Sequence, residues 1–456
     1  MYTKSQLQAV IMAAGKGSRM TELTARKPKC LLPVGNLPMI WFPLNLLQKS
    51  GFQDVFIVVL ETNKSEIQAT LEKFNLKIKI ELIGIPVGED WGTADSLRHL
   101  EESNKIKSDV LVLSCDLITN VDLQPLFELF RKHNATVAAL FAPVNNTSPL
   151  TVPGPKSKNK TEKDFIGIEE STSRLVFVAS ASDFEEELPL PCRLVKKFGR
   201  IALNSQLLDA HVYIFARALC KYLVSNKNIS TIKGELLPHV VRKQMQPKHK
   251  KMDQDKAASV IGIDLKTDLQ EMSEENELIL KARLMSAFTD SRLEPVYKSD
   301  SLRCYAHLAD GITIRANSLM EYTRINKLIL EKWSELTGIE GNRISPTATI
   351  SSTQLDSDSC LVGDKADISE KTSIKSTIIA PNVAVSPKTR ITSSVIMASA
   401  SIGVGCTIQN CIVCEDSVVS DGCELKDCLV GSHFTVPVGG KHSNEVLTDV
   451  DHLMEI

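Results

Sequence analysis

The residues best suited to phosphate chemistry lie near the N-terminus, in a glycine-rich turn that contains Gly15, Lys16, Gly17 and Arg19. The apolar run AVIM at residues 9–12 precedes this turn and predicts a buried parallel strand that ends there. Glycines let backbone amides approach a phosphate closely because they lack a Cβ, and the cationic side chains add donors. Lys29 follows ten residues after Arg19 and could reach the same anion. The turn therefore predicts a phosphate cradle, although glycine-rich turns are also common as plain tight turns.

The length, composition and net charge of the chain indicate which classes of protein it can belong to. The chain has 456 residues, which exceeds one ordinary core and predicts two or three domains. Hydrophobic residues make up 43% and charged residues 24%. The net charge of −2 gives no overall attraction to nucleic acid or to an acidic membrane. No apolar run approaches the roughly 20 residues that span a bilayer. Eleven scattered cysteines without a secretory signal predict reduced thiols and a cytosolic protein.

Alternating apolar runs and helical periods predict an α/β domain around the glycine-rich turn. Further strands are expected at residues 55–60, 78–85, 110–113, 136–142, 176–179, 193–197 and 210–215. Helical spacing is found at residues 41–50, 65–74, 93–102 and 122–133. Strands that alternate with helices form a mostly parallel, Rossmann-like sheet. Its ligands lie at the carboxyl ends of the strands, where the Gly15 turn and Asp116 both fall.

The C-terminal part of the chain carries a regular repeat. Aliphatic residues recur at intervals of 6, 6 and 5, starting from Val362, Ile368 and Ile374, and the resulting period of 17 continues to Val430. A six-residue repeat with one inward aliphatic residue on each side is typical of a left-handed parallel β-helix. Ile344 and Ile350 predict an incomplete first coil.

The cysteines of this repeat have two interpretations. Cys411 and Cys414 form a C-x-x-C pair, with Cys423 and Cys428 following, a pattern that is compatible with zinc. A structural role is favoured, because Cys411 and Cys428 are 17 residues apart, as are Cys406 and Cys423. Residues one period apart stack on adjacent coils, where small half-buried side chains fit.

Four segments are predicted along the chain. They are an N-terminal domain over residues 1–316, a linking helix within 317–343, the β-helix over 344–440 and a tail over 441–456. Two polar stretches, near residues 148–164 and 243–275, interrupt the N-terminal domain and predict mobile surface insertions. Solvated loops are the favoured interpretation, and a charged docking surface is the alternative.

The N-terminal motifs resemble the signature of the nucleotidyltransferases that make nucleotide-sugars. The turn fits G-x-G-[ST]-R-[ML], and it is followed by Leu23-Thr24 and by PKCLLP at residues 28–33. The resemblance implies transfer of a nucleotidyl group to a sugar phosphate, a step that depends on positioning, basic side chains and Mg²⁺. It also implies a base-recognition turn at residues 92–97, which includes Thr93, and a metal ligand at Asp116.

Several positions depart from that family pattern. Asp95, Cys115 and His211 stand where the family has glycines. A second metal carboxylate lacks its family motif in residues 304–311, and a Glu-Lys-Pro motif for the sugar phosphate is missing at residues 189–192. These departures predict no catalytic residues, no metal and no cofactor. The residues that remain are interpreted as a vestigial nucleotide- or phosphate-binding set: Gly15, Lys16, Gly17, Arg19, Lys29, Thr93 and Asp116.

Over essentially the whole chain, the closer resemblance is to the gamma subunits of eukaryotic translation initiation factor 2B. The motifs MAAGKGSRMTELT and PKCLLPVGNLPMIWFPLNLL carry it, together with the stretch at residues 314–326. This family has a nucleotidyltransferase-like domain, a linking helix and a hexapeptide β-helix. The resemblance therefore implies the same two-domain fold that the periodicities predict.

The resemblance also implies a function and partners. The expected role is a non-catalytic or assisting subunit of the complex that exchanges guanine nucleotides on translation initiation factor 2. Expected partners are the epsilon subunit by direct contact, the alpha, beta and delta subunits, and initiation factor 2 itself, with neither a membrane nor direct nucleic-acid contact. In the family a C-terminal helical-repeat domain of epsilon catalyses exchange. Residues 441–456 are too few for such a domain, so no exchange activity is expected from the chain alone.

Two alternative functions come from other classes. An active nucleotide-sugar pyrophosphorylase of the GDP-mannose type would convert mannose-1-phosphate and GTP and release pyrophosphate with Mg²⁺. A hexapeptide acyltransferase would need a histidine base on a coil. Only His433 and His442 are available there, both near the C-terminal end, which disfavours this alternative.

Overall fold

The computed structural model describes residues 7–86, 88–144, 151–154, 163–184, 186–246, 269, 300–341 and 343–448. Most of the two predicted insertions, near residues 148–164 and 243–275, lies outside these ranges, as does the end of the predicted tail. The described residues form an α/β domain followed by a left-handed parallel β-helix, so the predicted fold class is confirmed. No helix within the described ranges is long and apolar enough to cross a membrane.

A ten-stranded sheet forms the centre of the N-terminal domain. The strands of this domain are β1 (Leu7–Met12), β2 (Pro33–Val34), β3 (Leu37–Pro38), β4 (Asp54–Leu60), β5 (Lys79–Ile85), β6 (Asp109–Ser114), β7 (Leu117–Thr119), β8 (Val137–Pro143), β9 (Asp164–Glu169), β10 (Arg174–Ser180), β11 (Ile201–Asn204), β12 (Leu207–Phe215), β13 (Cys304–Leu308) and β14 (Thr313–Arg315). The sheet order is β11-β9-β10-β13-β8-β12-β6-β1-β4-β5. Strands β10, β11 and β12 are antiparallel to their neighbours, and the others share one direction.

Helices cover both faces of this sheet. They are α1 (Thr21–Thr24), α2 (Trp41–Lys49), α3 (Lys64–Leu71), α4 (Thr93–Glu102), α5 (Gln124–Lys132), α6 (Cys192–Lys197), α7 (Arg217–Ser225) and α8 (Leu237–Lys243). Successive strand residues point to opposite faces, so Val10 and Ile11 belong to two different buried apolar clusters. The sheet is therefore apolar on both sides, as the unbroken apolar runs of its central strands require.

One predicted strand is wrong. Residues 193–197 lie in helix α6, which begins directly after Pro191. Only Leu194 of this short helix is buried, against Val176 and Phe198, whereas Val195 is 64% exposed. One buried residue per turn is compatible with a helix. In the sequence, the adjacent aliphatic residues Leu194 and Val195 resemble a short strand.

Two helices, rather than one, link the domains. Helix α9 (Leu319–Glu331) begins at Ser318, whose Oγ accepts a hydrogen bond from the backbone N–H of Glu321 at 3.3 Å. This N-cap satisfies one of the free amides of the first turn. Helix α10 (Trp333–Thr337) follows after Lys332, whose φ of −122° breaks the helical path.

The β-helix has three parallel sheets, which we name by their strands. The first face contains Thr349–Ile350, Asp367–Ile368, Ala384–Val385, Ser401–Ile402, Val418–Val419 and Thr435–Val436. The second face contains Gln354–Leu355, Ser373–Lys375, Arg390–Thr392, Thr407–Gln409, Glu424–Lys426 and Lys441–Ser443. The third face contains Leu361–Val362, Ile378–Ile379, Val395–Ile396, Ile412–Val413, Leu429–Val430 and Val446–Leu447.

The inward residues follow the predicted period of 17. Val362, Ile368 and Ile374 are at most 3% exposed, and the later members of the repeat are equally buried. Ile344 bridges to Val362 and Ile350 pairs with Ile368, which confirms the incomplete first coil. The predicted end at residue 440 is too early, because the second and third faces each gain one more strand after it.

The cysteines of the coils stack as predicted. The backbone N–H of Cys428 lies 3.4 Å from Cys411 Sγ on the preceding coil. Cys411 points into the interior of the β-helix, whereas Cys414 belongs to a different apolar cluster outside it. The two cysteines of the C-x-x-C pair therefore lie on opposite sides of the sheet, which does not suit joint binding of zinc.

The third face is apolar on its outside as well. Its outward residues Leu361, Ile378, Ile412 and Leu429 are at most 2% exposed. They pack in one cluster with aliphatic and aromatic residues of α9 and of the β2–β3 hairpin: Val34, Leu37, Tyr322, Ile325 and Ile329. Asn36 donates from Nδ2 to the backbone oxygen of Ile379 at 2.8 Å, and Lys27 forms an ion pair with Glu415.

One part of a predicted insertion also contacts the β-helix. The backbone N–H of Gly154 donates to the oxygen of Asp427 at 2.8 Å, and Asn410 Nδ2 donates to the oxygen of Thr151 at 3.1 Å. Pro153 and Gly154 are buried there. The expectation of a solvated loop is therefore wrong for Pro153 and Gly154, whereas Thr151 is exposed.

We predict that a charge on the outside of the third face uncouples the domains. Ile412→Glu places an unpaired carboxylate at a position that is 1% exposed, and it should lower the free energy of unfolding by about 3–5 kcal/mol. The matched control is Val418→Glu in the same coil, because Val418 is 39% exposed on the first face and should change stability by less than about 0.5 kcal/mol. The stability of the two variants is compared by urea unfolding, followed by circular dichroism. Equal losses of stability would contradict the buried interface at Ile412.

Candidate functional site

The glycine-rich turn follows β1 directly, at the carboxyl edge of the sheet. Gly17 has a φ of +75°, and a Cβ there would lie 2.6 Å from Thr24 Cγ2. Thr24 Oγ1 donates to the oxygen of Gly17 at 3.2 Å and closes the turn. A Cβ on Gly15 would meet no atom within 4 Å. Gly17 is therefore required by the turn itself, whereas Gly15 leaves open space in front of it.

The cations predicted for the cradle do not converge. Lys16 Nζ lies 2.9 Å from Asp90 in an exposed ion pair. Arg19 lines a cavity of about 770 Å³ in the described part of the domain. Lys29 Nζ binds Asp116 at 2.5 Å. Each of the three cations thus has different neighbours, and a phosphate cradle that they share stays a prediction.

Asp116 is the most constrained of the predicted residues. Its side chain is 1% exposed, and both of its oxygens accept hydrogen bonds. Oδ1 accepts from Ser114 Oγ at 2.6 Å and from Arg315 Nε at 3.2 Å. Oδ2 accepts from Lys29 Nζ at 2.5 Å and from Arg315 Nη2 at 3.2 Å. Although burial opposes ionisation, the charges of Arg315 and Lys29 hold the pKa of Asp116 well below its usual range.

Arg315 was not predicted as a site residue. It ends β14, which pairs with β7 so that Arg315 stands opposite Leu117, and the N–H of Ala316 donates to the oxygen of Asp116 at 2.9 Å. The family pattern places a second metal carboxylate in the region of residues 304–311, where its motif is absent. The late group that faces Asp116 is instead this arginine, four residues beyond Gly311.

These residues do not fit the Mg²⁺ ion that the family resemblance implies. Mg²⁺ takes oxygen ligands, commonly one or two carboxylates with phosphates and water. Both oxygens of Asp116 are already used by Ser114, Lys29 and Arg315. Two buried cations in direct contact with the carboxylate would also repel a divalent ion. The arrangement joins the segment after β6, the segment before β2 and the end of β14 through one carboxylate.

The predicted base-recognition turn is covered by the chain itself. The backbone N–H of Ala94, at the start of α4, donates to the oxygen of Ser230 at 2.8 Å. Thr93 Oγ1 accepts from the N–H of Ile232 at 2.9 Å. A Cβ on Gly92 would lie 2.1 Å from that same oxygen of Ser230. The helix N-terminus, which would suit a ligand, is therefore occupied by the segment around residues 230–232.

Asp95 has a structural role in this turn. Its Oδ2 accepts from the N–H of Gly92 at 2.9 Å, which caps α4, and its Oδ1 binds Arg98. Arg98 is 8% exposed and donates to the backbone oxygen of Leu223 in α7 at 2.7 Å. It also donates to the oxygens of Ile229 at 2.6 Å and Asn226 at 3.1 Å, in the loop after α7. The carboxylate that replaces a family glycine thus orients an arginine that holds the covering segment.

His211 adopts a backbone conformation that few side chains accept. Its φ is +52°, within a register shift of β12, and its N–H donates to Asp209 Oδ1 at 2.8 Å. The Nε2 atom is buried without a hydrogen-bond partner among the described residues. Burial, followed by the charge of Arg315, keeps the pKa of His211 well below its usual value, so the ring is neutral. A strained, unpartnered histidine here fills space that a glycine would leave open.

Cys115 replaces a glycine without adding reactivity. It is 4% exposed in an apolar cluster of the sheet, and its N–H donates to the oxygen of Met12 at 3.1 Å. Burial raises the pKa of the Cys115 thiol to about 12, so the group stays protonated. This departure therefore fills the core beside Asp116.

The cavity lies beyond His211, between β9, β10, β12 and the segment that precedes α8. Arg19, Asp209, His211 and Arg315 line it on one side. On the other side Lys233 Nζ pairs with buried Asp164 at 3.0 Å. Sequence reasoning missed Lys233, Asp164 and Ser230 because they belong to no motif, and Asp164 fell within a predicted insertion.

Comparisons with known proteins divide the chain as the structure does. Residues 8–151 match the nucleotidyl transferase family, and residues 339–440 match the family described as the GMPPB C-terminal domain. The eIF2B gamma subunit of Caenorhabditis elegans is 29% identical over 385 residues, covering 83% of this chain and 81% of that protein. The gamma subunit of Schizosaccharomyces pombe is 29% identical over 378 residues, covering 81% and 74%. The S. pombe epsilon subunit is 23% identical over 239 residues, covering 51% and 34%. The predicted resemblance to gamma subunits is confirmed.

We predict that restoring the family glycine at position 95 weakens the domain. Asp95→Gly removes the cap of α4 and the carboxylate that pairs with buried Arg98, and it should lower the free energy of unfolding by about 2–4 kcal/mol. Asp95→Asn keeps a capping oxygen, so its free energy of unfolding should fall less than that of Asp95→Gly. Urea unfolding measures both variants. Wild-type stability in Asp95→Gly would show that the carboxylate has no structural role.

We predict that His211 makes the free energy of unfolding depend on pH. Because its folded pKa is depressed, its contribution is complete above the unfolded pKa of about 6.5 and is lost as pH falls below it. Between pH 7.5 and 5.5 the wild type should lose about 1.4 kcal/mol more than His211→Asn, whose side chain also accepts positive φ. Equal pH profiles of the two proteins in urea unfolding would mean that the imidazole titrates normally.

Proposed function

We propose that this chain, a relative of the gamma subunits of eukaryotic translation initiation factor 2B, is an assisting subunit of a guanine-nucleotide exchange complex. In this proposal the complex returns translation initiation factor 2 from its GDP to its GTP form in the cytosol. The chain binds an epsilon-type subunit directly and joins alpha, beta and delta subunits. Similarity to gamma subunits over about four fifths of the chain, with a shorter match to epsilon, supports the assignment.

The observation that carries the non-catalytic part of the proposal is the state of Asp116. The carboxylate that would bind the metal in a nucleotidyltransferase is paired with two cations and fully hydrogen-bonded. The turn that would read the base is covered by Ser230 and Ile232. A domain in this state contributes shape and contact surfaces, which is what a subunit of an assembly needs.

A second candidate is an active nucleotide-sugar pyrophosphorylase of the GDP-mannose type. It is favoured by the open space before Gly15 and by the cavity beside Arg19. The family that matches residues 8–151 is also described as nucleotidyl transferase. The state of Asp116 argues against it, because the metal-dependent step has no free carboxylate.

We predict that the full chain acts only together with an epsilon-type subunit. Co-expression should give a stable complex by size-exclusion chromatography. The complex should release fluorescent GDP from initiation factor 2 faster than epsilon alone, whereas the chain alone should leave the rate at its basal value. Absence of both a complex and a rate change would reject the proposal.

A separate assay addresses the alternative function. The full chain is incubated with mannose-1-phosphate, GTP and Mg²⁺, and pyrophosphate release is measured. No turnover is expected. Turnover that disappears in Asp116→Asn would establish the pyrophosphorylase and contradict the non-catalytic role.

A further inference from the structure

The hydrogen-bonding capacity of Asp116 is used up by the protein. A carboxylate oxygen has about two acceptor positions. Oδ1 receives Ser114 and Arg315 Nε, and Oδ2 receives Lys29 and Arg315 Nη2. A metal ion could bind this carboxylate only after at least one of these four donors had been displaced.

The donor that stands opposite Asp116 is held in place by the backbone. Arg315 ends β14, whose three residues pair with β7 next to Asp116. The N–H of Ala316 donates to the oxygen of Asp116, which joins the two chain segments at the same point. The guanidinium side chain is 8% exposed and forms a two-bonded fork with the carboxylate. Such a fork matches a carboxylate in shape as well as charge, and an arginine cannot release its proton in a protein.

The charge balance also excludes a divalent ion. Burial raises the pKa of Asp209, a second carboxylate that lines the cavity with Arg315, which weakens its negative charge. In direct contact with Asp116, Lys29 and Arg315 supply two positive charges against its one negative charge. The Lys29 side chain is 13% exposed, so solvent screens this excess only weakly. Mg²⁺ would add two further positive charges beside these two cations.

His211 lines the cavity together with Arg315. Its neutral imidazole brings no negative charge that could offset the two cations. The imidazole of His211 and the guanidinium of Arg315 therefore line the cavity at the position where a metal-dependent enzyme would hold its metal ion.

We propose that Arg315 is a built-in cation that takes the place of the divalent metal ion, so that the pocket at Asp116 excludes Mg²⁺. The guanidinium neutralises Asp116 permanently and anchors β14 to β7. In this proposal, a ligand in the cavity would bind without a metal ion at Asp116. This inference concerns the pocket alone and is independent of the exchange role, which does not need a metal at Asp116.

The test uses Mn²⁺ as the probe, because it occupies Mg²⁺ sites and its free concentration is measured by electron paramagnetic resonance. The full chain and three variants are titrated: Arg315→Asp, Arg315→Asp combined with Asp116→Asn, and Asp116→Asn alone. Arg315→Asp places a second carboxylate beside Asp116. It should create one site that binds Mn²⁺ at least tenfold more tightly than any site of the wild type. The double variant should lose this site, and the wild type should bind no more tightly than Asp116→Asn.

Two outcomes would overturn the proposal. One is a stoichiometric Mn²⁺ site in the wild type that Asp116→Asn removes. The other is an Arg315→Asp variant that is folded by circular dichroism but gains no Mn²⁺ site, because the arginine would then not be what excludes the metal.

A second measurement needs no variant, in case Arg315→Asp fails to fold. A ligand that binds the native state raises its stability in proportion to the logarithm of the ligand concentration. The thermal midpoint of the wild type should therefore be the same in EDTA and in saturating Mn²⁺. A rise in the midpoint that grows with the logarithm of the Mn²⁺ concentration, together with one bound equivalent of Mn²⁺, would contradict metal exclusion.

Discussion

The structure depends most on the apolar contact between the third face of the β-helix and the N-terminal domain. Outward residues of a β-helix normally meet water, as Arg390, Glu424 and Lys441 do on the second face. On the third face the outward residues are aliphatic and buried beneath α9 and the β2–β3 hairpin. A sheet that is apolar on both sides must be covered on both sides. The two domains therefore share one interface core, and their relative position is fixed by packing rather than by a flexible linker.

The same chain segment joins this interface to the pocket. Arg315 holds Asp116, Ser318 caps α9, and Tyr322 on α9 donates to the oxygen of Pro33 at 2.5 Å. Asn326, one turn later, accepts from the N–H of Gly35 at 3.2 Å. The ion pair at Asp116 thus fixes where α9 leaves the sheet, and α9 fixes where the β-helix lies. Arg315 consequently has structural value that a bound metal ion would not provide, because only a residue of the chain can direct the helix that follows it.

Periodicity predicted the fold well because it reflects which side chains are buried. The 17-residue repeat identified the inward residues of the β-helix, and the apolar runs identified most strands of the sheet. The strand predicted at residues 193–197 failed because two adjacent aliphatic residues do not distinguish a strand from one helical turn. The site was harder to predict. Asp116 could be found from its motif, but its partner Arg315 is 199 residues away and belongs to no catalytic pattern, so only the β7–β14 pairing reveals the contact.

The departures from the transferase pattern are not a random loss of residues. Random replacement in a buried pocket leaves polar groups without partners, at a cost of about 1–3 kcal/mol each. Here Asp95, one of the departures, pairs with Arg98, and the motif residue Asp116 is shared by Lys29 and Arg315. His211 Nε2 is the exception, and it lies beside the cavity. A pocket whose charges are paired internally gains rigidity at the expense of ligand binding. Under the proposed assisting role, such a domain would contribute the surfaces that its shape presents.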